Sequence, residues 1–420
     1  MELAPPRGAP DYLPPEGGQL RALYDRAAAL ARRYGYRYVE TPGFEHAELF
    51  ARTSGESSDV VAKEMYTFED RGGRSLTLRP EGTAPVMRAY LHRLQDQPTP
   101  FKAYYLTRMY RFSRPQKGRY REHRQFGIEV FGTSAPAADV EVIALADRYL
   151  RDLGLARYRL EINSLGDATC RPAYREELLT FLRKQRDRLT DEHRDTFERS
   201  PLRVLDCKDD DCRKVASEAP RITDRLCDAC KVHFEAVLDG VHQEGVEPRL
   251  TPTLVRGLDY YVRTAFEFVS EGLSQQQGSL FGGGRYDGIA EALGGPSTPG
   301  VGFGMGLERV LLALADENVP PPEEDNLGVF VVALGDEGRE AGRRLAKELR
   351  AAGVSVGLPY EERPLKAQLK QADHSGASFA AIVGEREVAD GTVTLRRMSD
   401  GTQESVPVAD VAERLGGGDR

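Results

Sequence analysis

The sequence predicts an α+β protein: an antiparallel sheet flanked by helices, interrupted by a helical insertion and followed by a small α/β domain. Three observations carry this. Two long strand-like runs, 102–112 and 123–132, are joined by a connection that begins Ser113-Arg114-Pro115-Gln116-Lys117-Gly118, which reads as an antiparallel hairpin. From about 167 to 248 the strand pattern fades, charged helical segments take over, and all five cysteines occur. After a linker, Val319-Pro320-Pro321-Pro322-Glu323-Glu324-Asp325, residues 326–420 alternate strand and helix.

The elements follow in order. Leu20, Leu23, Leu30 and Tyr34 recur at helical spacing, and Gly35 stops the pattern. A strand is expected at 36–41, ended by Pro42, and another at 74–79. After the hairpin come a helix at 137–153 and a strand at 158–163, then the insertion. Strand pattern resumes at 261–269. Gly282-Gly283-Gly284 follows, and a second glycine run, Gly300 to Gly306, leads into a helix at 306–315. Beyond the linker we expect strands at 329–334, 354–358 and 379–383, with helices at 337–352 and 364–373, around a largely parallel core.

Composition narrows the function classes. The chain has 420 residues, 40% apolar and 30% charged, as soluble globular proteins do. No run approaches the length of a membrane span, and the first residues do not read as a secretory signal. Five cysteines are too few for a secreted framework, so a cytoplasmic location is expected. A formal charge of −8 argues against a non-specific nucleic-acid coat. The hairpin differs from this background. Between 102 and 124 lie Lys102, Arg108, Arg111, Arg114, Lys117, Arg119, Arg121 and Arg124, against the single acid Glu122. A solvated charge run is the alternative reading, but Tyr104, Tyr105, Tyr110, Phe112 and Tyr120 are interleaved with it.

The run Gly300-Val301-Gly302-Phe303-Gly304-Met305-Gly306-Leu307-Glu308-Arg309 is not a dinucleotide fingerprint, because Met305 and Leu307 stand where a third glycine is required. It reads instead as a strand that something approaches closely, followed by a helix with arginine in its first turn. Two further mixtures of charge, hydroxyl and small residues are Leu76-Thr77-Leu78-Arg79-Pro80-Glu81-Gly82-Thr83 and Arg256-Gly257-Leu258-Asp259-Tyr260-Tyr261. Each alone is as readily a structural turn.

Together these segments resemble a class II aminoacyl-tRNA synthetase, and specifically the histidyl-tRNA synthetase family, over nearly the whole chain. Pro42 sits where the class has its dimer-interface motif. Arg111, the loop and Gly118-Arg119-Tyr120-Arg121 resemble its second motif, and Gly304-Met305-Gly306-Leu307-Glu308-Arg309 its third. The histidine-specific signatures are Leu254-Val255-Arg256-Gly257-Leu258-Asp259-Tyr260-Tyr261 and Gly283-Gly284-Arg285-Tyr286-Asp287-Gly288. The resemblance implies a catalytic domain over 1–325, with the helical insertion at about 167–248, and an anticodon-binding α/β domain over 326–420. It implies a homodimer that activates L-histidine with ATP and magnesium and transfers it to histidine tRNA, with no membrane involved.

Site residues follow by the same resemblance. Arg111 and Arg256 flank the α-phosphate as the catalytic cations. Arg119, Arg121, His123, Gly304 and Arg309 complete the ATP site. Glu81, Thr83, Gln125, Glu129, Tyr260, Tyr261 and Tyr286 bind histidine, and Arg114 and Gln116 meet the tRNA acceptor end, where the resemblance implies that histidine tRNA carries an extra 5′ guanosine. Arginine suits phosphate because it stays charged and forks onto two oxygens. This chain departs from the family at Ser113, where glutamate is usual, and at His123, where a phenylalanine stacks on adenine. The rival readings are a non-catalytic regulatory subunit of ATP phosphoribosyltransferase and a synthetase-like sensor of uncharged tRNA. Retained Arg256 and a full C-terminal domain speak against the first, and the lack of an attached kinase sequence against the second. Finally, the spacings Cys207-x4-Cys212 and Cys227-x2-Cys230 mark four zinc candidates, with free thiols as the alternative, and the scattered histidines add nothing to that case.

Overall fold

The computed structural model describes residues 3–416, apart from 56, 57, 59, 208, 259, 275–277 and 324–326. The chain divides into two compact units, one ending at Pro322 and the other starting at Glu323.

The first unit is built on an eight-stranded sheet. Its strands lie in the order Arg37–Tyr38, Phe101–Tyr110, Glu122–Phe131, Gly300–Gly306, Ser279–Arg285, Val262–Ser270, Tyr158–Ser164 and Pro248–Leu250. The expected hairpin pairs antiparallel, from Phe101 opposite Phe131 to Tyr110 opposite Glu122. The two outermost pairs are parallel and the inner ones antiparallel. The strand expected at 36–41 contracts to Arg37–Tyr38. Its continuation is diverted by Arg79, whose Nη1 donates to the carbonyls of Thr41 (2.8 Å) and Pro42 (3.1 Å) in place of a ladder. A smaller antiparallel sheet, Phe44–His46, Ser75–Leu78 and Tyr66–Glu69, leads into the helix Thr83–Arg93.

Alternation sorts the faces of the large sheet. Phe126, Ile128 and Val130 enter one core with Leu20, Leu23, Tyr149, Phe234 and Phe303, under the helices Glu16–Arg33, Pro136–Asp152 and Asp228–Gln243. Gln125, Gly127 and Glu129 therefore face the other side. There Met87, Tyr105, Tyr260, Tyr261 and Tyr286 make a second core, continuous with Tyr174, Leu178 and Val215. Between Ser164 and Pro248 the described residues form helices and no strand: Arg171–Lys184, Asp191–Thr196, Leu202–Leu205, Asp210–Glu218 and Asp228–Gln243. The last belongs to the main core through Phe234, Val237 and Val241.

In the second unit the strands Val356–Gly357, Val329–Ala333 and Phe379–Val383 are parallel neighbours, as expected. Two antiparallel strands that the sequence reading did not resolve, Thr392–Arg397 and Gln403–Pro407, extend the sheet. They turn through Gly401, whose φ of +74° suits glycine. Among the described residues no helix is long and apolar enough to cross a membrane.

Candidate active site

The glycine strand Gly300–Gly306 lies beside Glu122–Phe131, with Gly302 opposite Glu129 and Gly306 opposite Gln125. Its alternate glycines share one face. A Cβ on Gly300 would overlap the Tyr286 ring, one on Gly302 the Glu129 carboxylate, and one on Gly304 the Gln125 amide. The missing side chains are thus the space that three polar residues occupy.

Glu129 is wholly buried. Thr83 Oγ1 donates to its Oε1 at 2.8 Å, the Tyr105 hydroxyl donates to the same oxygen at 3.4 Å, and the Tyr286 hydroxyl donates to Oε2. Burial pushes its pKa up to about 8, against the pull of these donors. Next to it, Glu81 accepts from the backbone N–H groups of Thr83 (2.6 Å) and Ala84 (3.0 Å), at the positive end of the helix Thr83–Arg93. Burial raises its pKa too, partly offset by those donors. Tyr260, Tyr261 and Tyr286 close the space, with ring centroids 4.6 to 6.3 Å apart. Asp259, part of the same signature, lies outside the described residues. Tyr105 is a member that the sequence reading missed. Its signal was Gly82 and Gly127, where a Cβ would overlap its ring.

This buried cluster of acids and tyrosines adjoins, at Gln125, a cleft of about 930 Å³. Arg111, Arg119, Arg256 and Arg309 line the cleft, with Ser113, His123 and Gly304. Arg309 is placed by hydrogen bonds to the carbonyls of Gly118 (3.2 Å) and Ser279. Burial, with the cations Arg119 and Arg111 nearby, lowers its pKa. Arg256 sits 3.8 Å from Glu267 and 5.9 Å from the Tyr261 ring centroid, and its Nε is buried with no hydrogen-bond partner among the described residues. Gly282 leaves the room for its guanidinium. Burial, Arg111 and Arg309 push His123 down to about 3, so it presents a neutral ring.

Some expected members stand apart. Arg121 does not line the cleft; it stacks 4.1 Å over Phe112 and donates to the Ser113 carbonyl. Arg119, which does line the cleft, also pairs with Glu64 at 2.8 Å. Arg114 and Gln116 are exposed on the hairpin connection, where Gln116 and Arg119 form an isolated antiparallel bridge. Arg285 is structural: it is fully buried against Asp139, which also lies 3.5 Å from His233 Nε2, and the next residue, Tyr286, points to Glu129. Glu308 likewise accepts from Arg124 N at 2.9 Å and ties the last motif to the hairpin.

The four cysteines do not converge as expected. Cys207 and Cys212 group with His193, while Cys227 and Cys230 group with Cys170 and Asp167. The interval between Cys207 and Cys230 contains no histidine, but folding brings one in from outside it. The two pairs separate because Cys227 and Cys230 open the helix Asp228–Gln243, which is held by the main core.

Comparisons with known proteins identify the family. A family model described as histidyl-tRNA synthetase matches residues 8–310, and one described as an anticodon binding domain matches 328–417. A histidine–tRNA ligase of Moorella thermoacetica is 49% identical over 98% of this chain and 98% of its own. One of Caldanaerobacter subterraneus subsp. tengcongensis is 45% identical over the same shares. The crystal structure of apo histidyl-tRNA synthetase from S. aureus superposes with a TM-score of 0.82 at 35% identity, covering 99% of this chain and 100% of that one. On sequence and fold alike, the chain belongs to the histidyl-tRNA synthetase family, the class II ligases that join histidine to tRNA.

Proposed function

We propose that this chain activates L-histidine between the Glu129 cage and the arginine-lined cleft, and then passes it to histidine tRNA. One observation carries the residue assignments: a buried cluster of acids and tyrosines adjoins, at Gln125, a cleft lined by several cations, one of which, Arg256, has a buried Nε with no hydrogen-bond partner among the described residues. In the first step a carboxylate oxygen of histidine attacks the α-phosphorus of ATP, and the bond to the leaving pyrophosphate breaks. Charge gathers on the phosphoryl oxygens, so fixed cations aimed there supply the main stabilisation. Arg111 and Arg256 serve the α-phosphate and Arg309 the distal phosphates. The neutral His123 ring offers adenine a flat face, and Ser113 a hydroxyl.

Glu129, Glu81, Gln125 and Thr83 receive the ammonium and imidazole of the substrate, with Tyr260, Tyr261 and Tyr286 around the ring. Such a polar pocket rejects apolar analogues by roughly four to five orders of magnitude in favourable cases. Magnesium, bound with ATP, would neutralise the polyphosphate. The cleft suits it, because Glu267 supplies one carboxylate and magnesium commonly takes one or two together with phosphate oxygens. In the second step a hydroxyl of the tRNA terminus attacks the adenylate carbonyl, AMP leaves, and the hydroxyl proton leaves with the phosphate. The exposed Arg114 and Gln116 meet the acceptor end, and the second unit reads the anticodon. Exposed Tyr38 and Phe44, on either side of Pro42, support a homodimer through that segment. Five cysteines with no disulfide between them suit a cytoplasmic setting.

The test is histidine-dependent exchange of pyrophosphate into ATP. The native chain should catalyse it, which a regulatory subunit would not. Arg256→Ala should fold normally and lose it on the order of a hundredfold or more. Near-native exchange in Arg256→Ala would remove that residue from the mechanism.

A further inference from the structure

Two short stretches of the insertion have the same form. Asp167-x2-Cys170 precedes the helix Arg171–Lys184, and Cys227-x2-Cys230 opens the helix Asp228–Gln243. In each, two metal-binding side chains stand three residues apart at a helix N-terminus. The fold brings the two stretches together, although some 60 residues separate them.

We propose that Asp167, Cys170, Cys227 and Cys230 form a tetrahedral zinc site that clamps the two ends of the insertion. All four donor atoms lie within 4.8 Å of one another. Asp167 Oδ1 is 3.5 Å from Cys170 Sγ and 3.8 Å from Cys227 Sγ, and Cys170 Sγ is 3.8 Å from Cys230 Sγ. Zinc binds thiolate at about 2.3 Å and carboxylate at about 2.0–2.2 Å, so a tetrahedron has sulfur–sulfur edges of about 3.8 Å and oxygen–sulfur edges of about 3.5 Å. The 3.8 Å sulfur–sulfur and 3.5 Å oxygen–sulfur separations match those edges, and the Asp167–Cys227 separation is about 0.3 Å longer.

The surroundings suit the charge. Three thiolates and a carboxylate exceed the charge of the ion, and Arg263 Nη2 lies 3.4 Å from the other Asp167 oxygen. Asp167 N–H points to Cys170 Sγ at 3.3 Å, a contact of the kind that orients a ligating sulfur. The protein fills all four positions and none of the four residues lines the cleft, so the metal is structural and takes no part in the chemistry. The second group, His193, Cys207 and Cys212, offers three donors rather than four.

The clamp also borders the histidine pocket. Leu165 N donates to the Arg263 carbonyl at 2.6 Å, Arg263 N to the Gly166 carbonyl at 2.8 Å, and Arg171 Nη1 to the Tyr261 carbonyl at 3.1 Å. The ligand-bearing loop therefore holds the backbone beside Tyr261, and metal loss should loosen that tyrosine wall.

The test is metal content of the full-length chain, purified under reducing conditions without chelator. One tightly held zinc per chain is expected. Cys227→Ser should lower it at least tenfold, whereas Cys212→Ser should retain it. Exchange with cobalt should give sulfur-to-metal charge-transfer and tetrahedral d–d bands, and Asp167→Cys should keep the metal and strengthen the charge-transfer band. Because Asp167→Cys exchanges one ligand for another rather than removing one, it decides the matter if Cys227→Ser fails to fold. A native chain that holds no zinc and gives no cobalt spectrum would overturn the site, as would a disulfide joining Cys170 to Cys230 in freshly isolated protein. Loss of metal in Cys212→Ser with retention in Cys227→Ser would overturn it in favour of the other group.

Discussion

The Tyr286 hydroxyl donates to Oε2 of Glu129, a carboxyl with no exposure to solvent that burial lifts to about 8. Without substrate this group carries a proton at neutral pH, although a free glutamate would not. A cationic group of histidine placed against it would draw the carboxylate form. Histidine binding near pH 7 should therefore release close to one proton from Glu129. Calorimetric titration in buffers of different ionisation enthalpy measures this, and heats independent of buffer would show that Glu129 does not meet a cation.

The same shift has a stability sign. A carboxyl whose pKa is raised by folding favours the folded state at low pH, and that advantage is lost as pH climbs from about 4.3 in the unfolded chain to about 8 in the folded one. Glu129→Gln removes the titration. The unliganded variant should gain on the native chain between pH 5 and 9, by on the order of a few kcal/mol. Thermal melts at those two pH values make the comparison, and parallel curves would refute the shift. Histidine activation should fall in the same variant.

The glycine face makes a steric prediction. Gly302→Ala would drive its Cβ into both the Glu129 carboxylate and the backbone carbonyl of Ile128, which cannot move aside. Overpacking of this kind costs about 1–3 kcal/mol, and histidine activation should be lost with it. Gly306→Ala meets nothing within 4 Å and has an ordinary φ of −78°, so its melting temperature should stay at the native value. Equal melting temperatures for the two variants would contradict the packing described.

The exposed hairpin connection should act on tRNA and not on activation. Gln116→Ala should weaken aminoacylation while pyrophosphate exchange stays near native, and should narrow the difference between tRNA with and without its additional 5′ guanosine. Arg114→Ala should also flatten the salt dependence of tRNA binding, because fewer counterions are released. Aminoacylation of both tRNAs by both variants is the measurement; unaltered discrimination would place acceptor reading elsewhere.

A chain ending at Pro322 keeps the whole first unit and should form histidyl-adenylate while charging tRNA poorly. Activation and aminoacylation are to be compared on the same preparation. Equal loss of both would mean that residues 323–420 support the catalytic fold.

Local pattern made much of this legible. The hairpin, the first helix and the glycine strand each announce themselves within a few residues, and Arg111, Arg119 and Arg309 of the cleft lie in or beside those segments, while Arg256 does not. What stayed hidden depends on contacts distant in sequence. Tyr105 looked like one aromatic among several in a basic run, and its role appears only when Gly82 and Gly127 are seen against its ring. The helix Thr83–Arg93 was obscured by Pro85 near its start, where proline is tolerated. Cysteine spacing suggested one cluster of four, whereas His193, Asp167 and Cys170 enter from outside the counted interval and divide them into two groups. Arg285 read as part of a substrate signature, yet it is spent on Asp139.

The bare glycine face also bears on how specificity could change. Pockets usually drift by exchanging one lining side chain for another, in small steps that each remain functional. Here one wall is backbone, and the first atom added at Gly300, Gly302 or Gly304 collides with a polar residue of the pocket. No graded series of substitutions is open at those three positions. A search for variants that accept a different amino acid should therefore randomise the tyrosine wall at 260, 261 and 286 and leave the glycines fixed.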